Sequence, residues 1–159
     1  MIAVEEGLKL NLGCGDVRIP GFLGMDIIYT DAVDRICDLE RQWCFEDNSV
    51  SRIIANDIIE HLKDPIHAMN EIWRVCRDGA IVEMQIPTTD GRGAFQDPTH
   101  KSFWNANSFC YYCEELGLIH LGRKYGFKGN FKVESYQERH EGDPRMRIIE
   151  MNVVLRVIK

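Results

Sequence analysis

The stretch Leu8-Lys9-Leu10-Asn11-Leu12-Gly13-Cys14-Gly15, followed by Gly24-Met25-Asp26-Ile27, constrains the chain more than any other. It reads as a short apolar strand, a Gly-x-Gly turn, and a second short strand with a carboxylate at its tip. Glycines at such a turn allow positive φ and let the backbone approach a ligand, because no Cβ intervenes. A carboxylate ending the next strand can accept hydrogen bonds from both hydroxyls of a ribose. These parts, in this order, suit an adenosine-containing cofactor.

Spacing narrows the choice. A dinucleotide fingerprint has a third glycine where this chain has Arg18, and no G-x-x-x-x-G-K-[ST] phosphate loop is present. Gly13 and Gly15 with Asp26 and no pyrophosphate-binding glycine suit S-adenosylmethionine. A Gly-x-Gly by itself also describes a tight turn, so the rest of the chain has to carry part of the argument.

Ser51–Asn56 reads as a buried strand. Asp64-Pro65 opens a helix, with Asp as N-cap and Pro at the first helical position. Ile66, Met69, Ile72, Trp73 and Cys76 recur at helical spacing, and Gly79 is expected to end that helix. Ala80–Ile86 alternates as a strand stopped by Pro87. Lys132–Arg139 and Met146–Ile158 form an expected antiparallel hairpin turned at Glu141-Gly142-Asp143-Pro144. Asn105–Leu118 is expected to be helical. The alternation predicts a sheet with one thinly covered face. There is no room for long helices between Gly15 and Asp26, or between Asp26 and Asp38. A second subunit on the bare face, giving a homodimer, is one expectation.

At 159 residues the chain is expected to be one domain. Its net charge of −6 argues against general nucleic-acid binding. No apolar run approaches the length of a membrane span. Met1–Glu6 carries acids and no basic region, which does not fit a secretion signal. With that, the six cysteines read as reduced thiols of a cytoplasmic protein. Cys110-x-x-Cys113 has no second pair at zinc spacing, so no metal is expected.

Further residues carry a family likeness. Leu10–Gly15, Gly24–Asp26, Asn56-Asp57-Ile58-Ile59-Glu60-His61-Leu62 and Glu71-Ile72-Trp73-Arg74-Val75-Cys76-Arg77-Asp78-Gly79-Ala80 follow one another in an order that resembles the class I S-adenosylmethionine-dependent methyltransferases, and within them the small type 11 group. The resemblance implies an α/β, Rossmann-like sheet in the order 3-2-1-4-5-7-6, with the seventh strand antiparallel. It implies that Gly13 and Gly15 pass under the methionine part of the cofactor, that Asn11 and Cys14 also belong to the cofactor site, and that Asp26 holds the ribose. Asp38 would lie near the adenine amino group, and Asn56 would offer backbone contacts to the methionine end. Asn11 stands where the family has an acid, and Val17 where it has a third glycine.

Catalytic groups are sought in Pro87–Asn105, which is too long for a routine connection and is placed where acceptors bind in such folds. His100 is the candidate base, and His61 a candidate acceptor contact. Phe103, Trp104, Tyr111 and Tyr112 read as core, with an aromatic pocket as the alternative. The reading that follows is methyl transfer to a small-molecule or sugar-type acceptor. The alternatives are a non-catalytic methyltransferase-like binding subunit and an aminopropyltransferase-like enzyme, for which no acidic set is evident.

Overall fold

The computed structural model describes residues 7–159. The reading of Met1–Glu6 lies outside the described residues. One seven-stranded sheet organises them. The strands are β1 (Leu8–Leu12), β2 (Leu23–Asp26), β3 (Arg35–Ile36), β4 (Val50–Asn56), β5 (Cys76–Pro87), β6 (Phe131–Glu141) and β7 (Ile148–Val157). Their order is β3-β2-β1-β4-β5-β7-β6. β1 to β5 are parallel, and β7 runs antiparallel to both β5 and β6. This is the α/β methyltransferase sheet that the sequence implied.

Helix α1 (Pro65–Val75) begins where Asp64 caps it, its side chain accepting from the His67 N–H. Its buried face, with Met69 and Ile72, shares one core with Leu10, Leu12, Ile53, Ala55, Val82 and Met84. The helix ends earlier than expected. Cys76 is already extended and fully buried at the start of β5, paired with Val50. Gly79, at φ 73, lies inside that strand, four residues after the last helical turn, rather than capping the helix.

Asn105–Leu118 is not one helix. It holds two 3-10 turns, Ala106–Tyr111 and Glu114–Leu116. Asn105 and Ser108 form a capping box at the first. The Tyr112 carbonyl is drawn out of any helix by the Phe131 N–H. Two further short helices, α2 (Gly93–Gln96) and α3 (Ile119–Lys124), lie in the same long connection. Trp104, Phe109, Tyr112 and Phe127 from this connection join the core, with ring centroids 5.0–5.8 Å apart.

No helix separates β1 from β2, β2 from β3, or β3 from β4. The last of these connections packs Cys37, Leu39 and Trp43 into the core and is also held by an ion pair. Glu71 on α1 accepts from the Trp43 N–H at 2.7 Å and pairs with Arg74 at 2.7 Å. Arg74 in turn donates to the carbonyls of Trp43 and Phe45 and to Asp47. The other sheet face stays uncovered. Arg52, Ile54, Ile81, Glu83, Val154 and Arg156 alternate with the buried positions and are partly or fully exposed. Two cross-strand ion pairs, Arg52–Glu83 and Arg156–Glu134, lie on it.

Candidate active site

At the carboxyl ends of β1, β2 and β4 a cleft of about 410 Å³ is lined by Gly13, Asp26, Ile27, Asp38, Glu40, Ile58 and His61, among others. That volume lies within the roughly 300–1,000 Å³ of small-molecule clefts. Gly13 has φ 60, and a Cβ there would lie 2.5 Å from the Ile58 side chain. Only glycine meets both conditions. The Gly15 N–H donates to Asp26 Oδ2 at 2.9 Å, and the Ile28 N–H donates to Oδ1 at 3.0 Å. The carboxylate is therefore aimed by two backbone donors. An ionised carboxylate has about four acceptor positions, so two remain for a diol. Asp38 faces the same cleft. It accepts from the Glu40 N–H and from Arg41 Nε at 3.1 Å. The donor chemistry of this cleft fits a ribose-bearing cofactor without a pyrophosphate.

The side chains of three residues assigned to the cofactor lie outside the lining of this cleft. Asn11 is 4% exposed and its Nδ2 donates to the Val17 carbonyl at 3.1 Å, tying the glycine turn from beneath. Cys14 is buried in a small cluster with Ala32 and Val33, so its side chain is floor and not lining. Asn56 pairs in register with Gln85, on the uncovered face, because strand alternation turns it away from the buried Ala55. The chain then reverses through Asp57 at φ 51, which delivers Ile58 and His61 to the cleft instead.

His61 also lines a second, smaller pocket of about 190 Å³, together with Asp57, Glu60, Pro87, Gly93, Gln96, Asp97, His100 and Glu150. His61 and His100 meet edge to face, with ring centroids 4.9 Å apart. The Lys101 and Ser102 N–H groups both donate to the Glu60 carbonyl, at 2.7 and 3.0 Å, and clamp the long connection onto the turn after β4. Glu60 is 2% exposed and its Oε2 has no partner; Glu150 Oε2 has none either. Burial pushes the Glu60 carboxyl up to about 8, against its own backbone N–H, with the charges of Asp57, Glu150 and Asp97 adding to it. Burial, then Asp57 and Glu141, push Glu150 up to about 7. Burial also raises Asp57. These groups crowd negative charge into a space short of donors.

The sequence reading passed over Glu60 and Glu150. The sequence signal for Glu60 was its place beside His61 in the segment that carries the family likeness. Nothing local marks Glu150, which β7 brings in through its pairing with Pro87. The aromatic residues serve both roles considered for them. Trp104 and Tyr112 are core, yet with Phe103 and Tyr111 they also line an apolar pocket of about 250 Å³ beside the start of α1. Phe103 itself is 53% exposed and stacks on exposed Phe95 at 5.2 Å.

A methyltransferase-domain family (Methyltransf_11) matches residues 10–84. No curated protein matches the chain. Among solved structures, a Haloferax volcanii protein in complex with the Trm112 methyltransferase activator is similar at a TM-score of 0.69 and 14% identity, over 98% of this chain and 84% of that one. A SAM-dependent methyltransferase from Methanosarcina mazei is similar at 0.65 and 12% identity, over 97% and 93%. Haemonchus contortus phosphoethanolamine N-methyltransferase 2, in complex with S-adenosyl-L-methionine, is similar at 0.57 and 15% identity, over 96% and 49%. At these identities the structural likeness carries the fold. Residues 10–84 matched to the domain, with the sheet order and cleft in agreement, support a class I S-adenosylmethionine-dependent methyltransferase with S-adenosylmethionine as cofactor.

Proposed function

We propose that the chain transfers the methyl group of S-adenosylmethionine to an oxygen of a small-molecule or sugar-type acceptor. The acceptor enters the pocket between His61 and the connection that follows β5. The observation that supports this most is the shared wall: His61 lines both the cleft of Asp26 and the pocket of His100 and Glu60. Asp26 is assigned to the ribose hydroxyls, Gly13 and Gly15 to the methionine end, and Asp38 to the adenine side. Bound there, the cofactor supplies an activated methyl on a sulfonium.

The chain's own task is then to orient the acceptor, exclude water and take a proton. Orientation alone can contribute roughly 7–11 kcal/mol to such a displacement. His100 Nδ1 lies 2.8 Å from the Ala94 carbonyl, which only accepts. Nδ1 therefore carries the hydrogen, and in the neutral ring Nε2 carries the lone pair for an acceptor proton. Asp97, 4.0 Å from His100 Nε2, is placed to stabilise the resulting imidazolium.

The test is methyl transfer to a panel of hydroxylated small molecules and sugars, followed by mass. Turnover by the wild type, lost in Asp26→Ala and reduced in kcat in His100→Gln, is expected. Turnover unchanged in Asp26→Ala would overturn the assignment. Tight cofactor binding with no acceptor turned over would favour the binding-subunit reading.

The uncovered face, with Ile54, Ile81 and Val154 between its ion pairs, is assigned to a second copy of the chain. Light scattering decides this, since a clean 18.4 kDa monomer at micromolar concentration excludes it. No described helix is long and apolar enough to cross a membrane. All six cysteines are free, which supports a reducing, cytoplasmic setting.

A further inference from the structure

We propose that Glu60, His61 and His100, with Asp57 and Glu150 beside them, bind a divalent first-row transition-metal cation that holds the nucleophilic oxygen of the acceptor. One ligand atom from each of Glu60, His61 and His100 lies within 4.8 Å of the others. Three independent features point to a cation here.

The first is Glu60 itself, 2% exposed, with Oε2 unpartnered inside a pocket that it lines. A buried acceptor without a donor costs free energy, and native proteins rarely leave one so. The second is the hydrogen bonding of both imidazoles. Thr99 Oγ1 donates to Asp97 Oδ1 at 2.6 Å, so at 3.0 Å it can only accept from His61 Nδ1. His100 Nδ1 donates to the Ala94 carbonyl. Each ring thus has its hydrogen fixed on Nδ1 and its lone pair on Nε2. Ligating histidines are held in this way by outer hydrogen bonds. The third is the absence of any Lys or Arg among the residues lining the pocket, although it gathers Asp57, Glu60, Asp97 and Glu150.

Mixed imidazole and carboxylate donors suit Mn²⁺, Fe²⁺ or Zn²⁺ better than Mg²⁺ or Ca²⁺. Held this way, an acceptor hydroxyl gives its proton to the Asp57 carboxylate. Its oxygen lone pair forms the bond to the methyl carbon, and the electron pair of the broken C–S bond leaves on sulfur. The imidazoles then hold the ion and no longer take the proton. This deepens the proposed methyl transfer and rests on it for the acceptor, while the ion site stands on its own geometry.

The test is calorimetric titration of the full, chelator-treated chain with MnCl₂ and with ZnCl₂, with Mn²⁺ also followed by electron paramagnetic resonance. S-adenosylhomocysteine binding is measured on the same samples. One ion per chain is expected. Glu60→Gln and His100→Gln should each weaken it on the order of 100-fold, and Thr99→Val about 10-fold, through the outer hydrogen bond. Circular dichroism and retained S-adenosylhomocysteine binding confirm that each variant is folded. The proposal falls if a chain that binds S-adenosylhomocysteine binds neither ion, or if Glu60→Gln and His100→Gln leave ion binding unchanged. It falls equally if putrescine fills the pocket and excludes Mn²⁺, which would make the acids an ammonium grip. Ion binding by a chain that does not bind S-adenosylhomocysteine would sustain the ion site and remove the methyl-transfer reading instead.

Discussion

The cleft around Asp26 and the pocket around Glu60 share one wall and treat their carboxylates in opposite ways. Asp26 is only half-buried and both its oxygens already accept from backbone N–H groups. Glu60 is buried with an oxygen left over. The first arrangement is fixed before any ligand arrives, so binding there spends little on ordering. The second stores an unmet demand for positive charge. A single residue, His61, joins the prepared half of the site to the unsatisfied half.

The two halves also rest on different supports. The cleft side is built on short strands without intervening helices, and it exposes Val17, Ile27, Ile28, Tyr29 and Ile36. The pocket side is braced by α1, the aromatic cluster and the β6–β7 hairpin. Substitutions should therefore separate the halves, and four of them sharpen the contrast.

The largest effect is expected for Gly13→Val. Left-handed strain of about 1–3 kcal/mol and overlap with Ile58 of about 1–3 kcal/mol should add to roughly 2–6 kcal/mol of lost stability in urea unfolding. S-adenosylhomocysteine binding should disappear with it. A variant as stable as the wild type would break the account of the glycine turn.

Glu71→Ala comes next, at about 2–4 kcal/mol, because Arg74 and the Trp43 N–H lose their shared partner. The same pair sets a pH dependence. Burial pushes the Glu71 carboxyl up, but Arg74 and the Trp43 N–H outweigh it and hold the group below its ordinary value of 4.5. A carboxyl depressed in the folded state gives stability that is present above the unfolded value and is lost as pH falls through the folded one. Stability of the wild type should therefore drop below about pH 4.5, and Glu71→Gln should flatten part of that slope.

Asp26→Ala should weaken S-adenosylhomocysteine on the order of 100-fold, or about 2–3 kcal/mol, through two lost hydrogen bonds to a charged group. Its effect on ion binding at Glu60 should be negligible, which tests whether the halves are separable. Phe95→Ser is the smallest change for the fold, within about 0.5 kcal/mol at an exposed site. It should raise the acceptor KM with kcat held, since Phe95 lies in α2 between Gly93 and Gln96, which line the pocket.

Sequence made the cleft half legible because its parts are local. A glycine turn, a strand and a terminal carboxylate lie within twenty residues, and each has a backbone reason to be there. The sheet order followed from the resemblance, and the hairpin from its own alternation. The misplaced details have physical sources. Gly79 looked like a helix stop, but Cys76 had already been drawn into the sheet by burial. Asn56 is expected to contact the cofactor through its backbone, and strand parity turns only its side chain to the far face. Asn105–Leu118 looked helical, but a capping box and the Tyr112–Phe131 hydrogen bond break it into 3-10 turns. The pocket half was harder to read because its members come from three separate places: the turn after β4, the long connection after β5, and β7. Only the folded sheet makes Glu60, His100 and Glu150 neighbours.

The central claim is that the Gly13–Asp26 cleft holds S-adenosylmethionine, and thermal unfolding tests it most directly. With about 1 mM S-adenosylhomocysteine and a Kd near 10 μM, binding stabilises the fold by about 2.7 kcal/mol. For a domain of this size the account predicts a rise in Tm of about 5–10 °C, absent with NAD or ATP and absent in Asp26→Ala. An unchanged Tm, or an equal rise in Asp26→Ala, would contradict it.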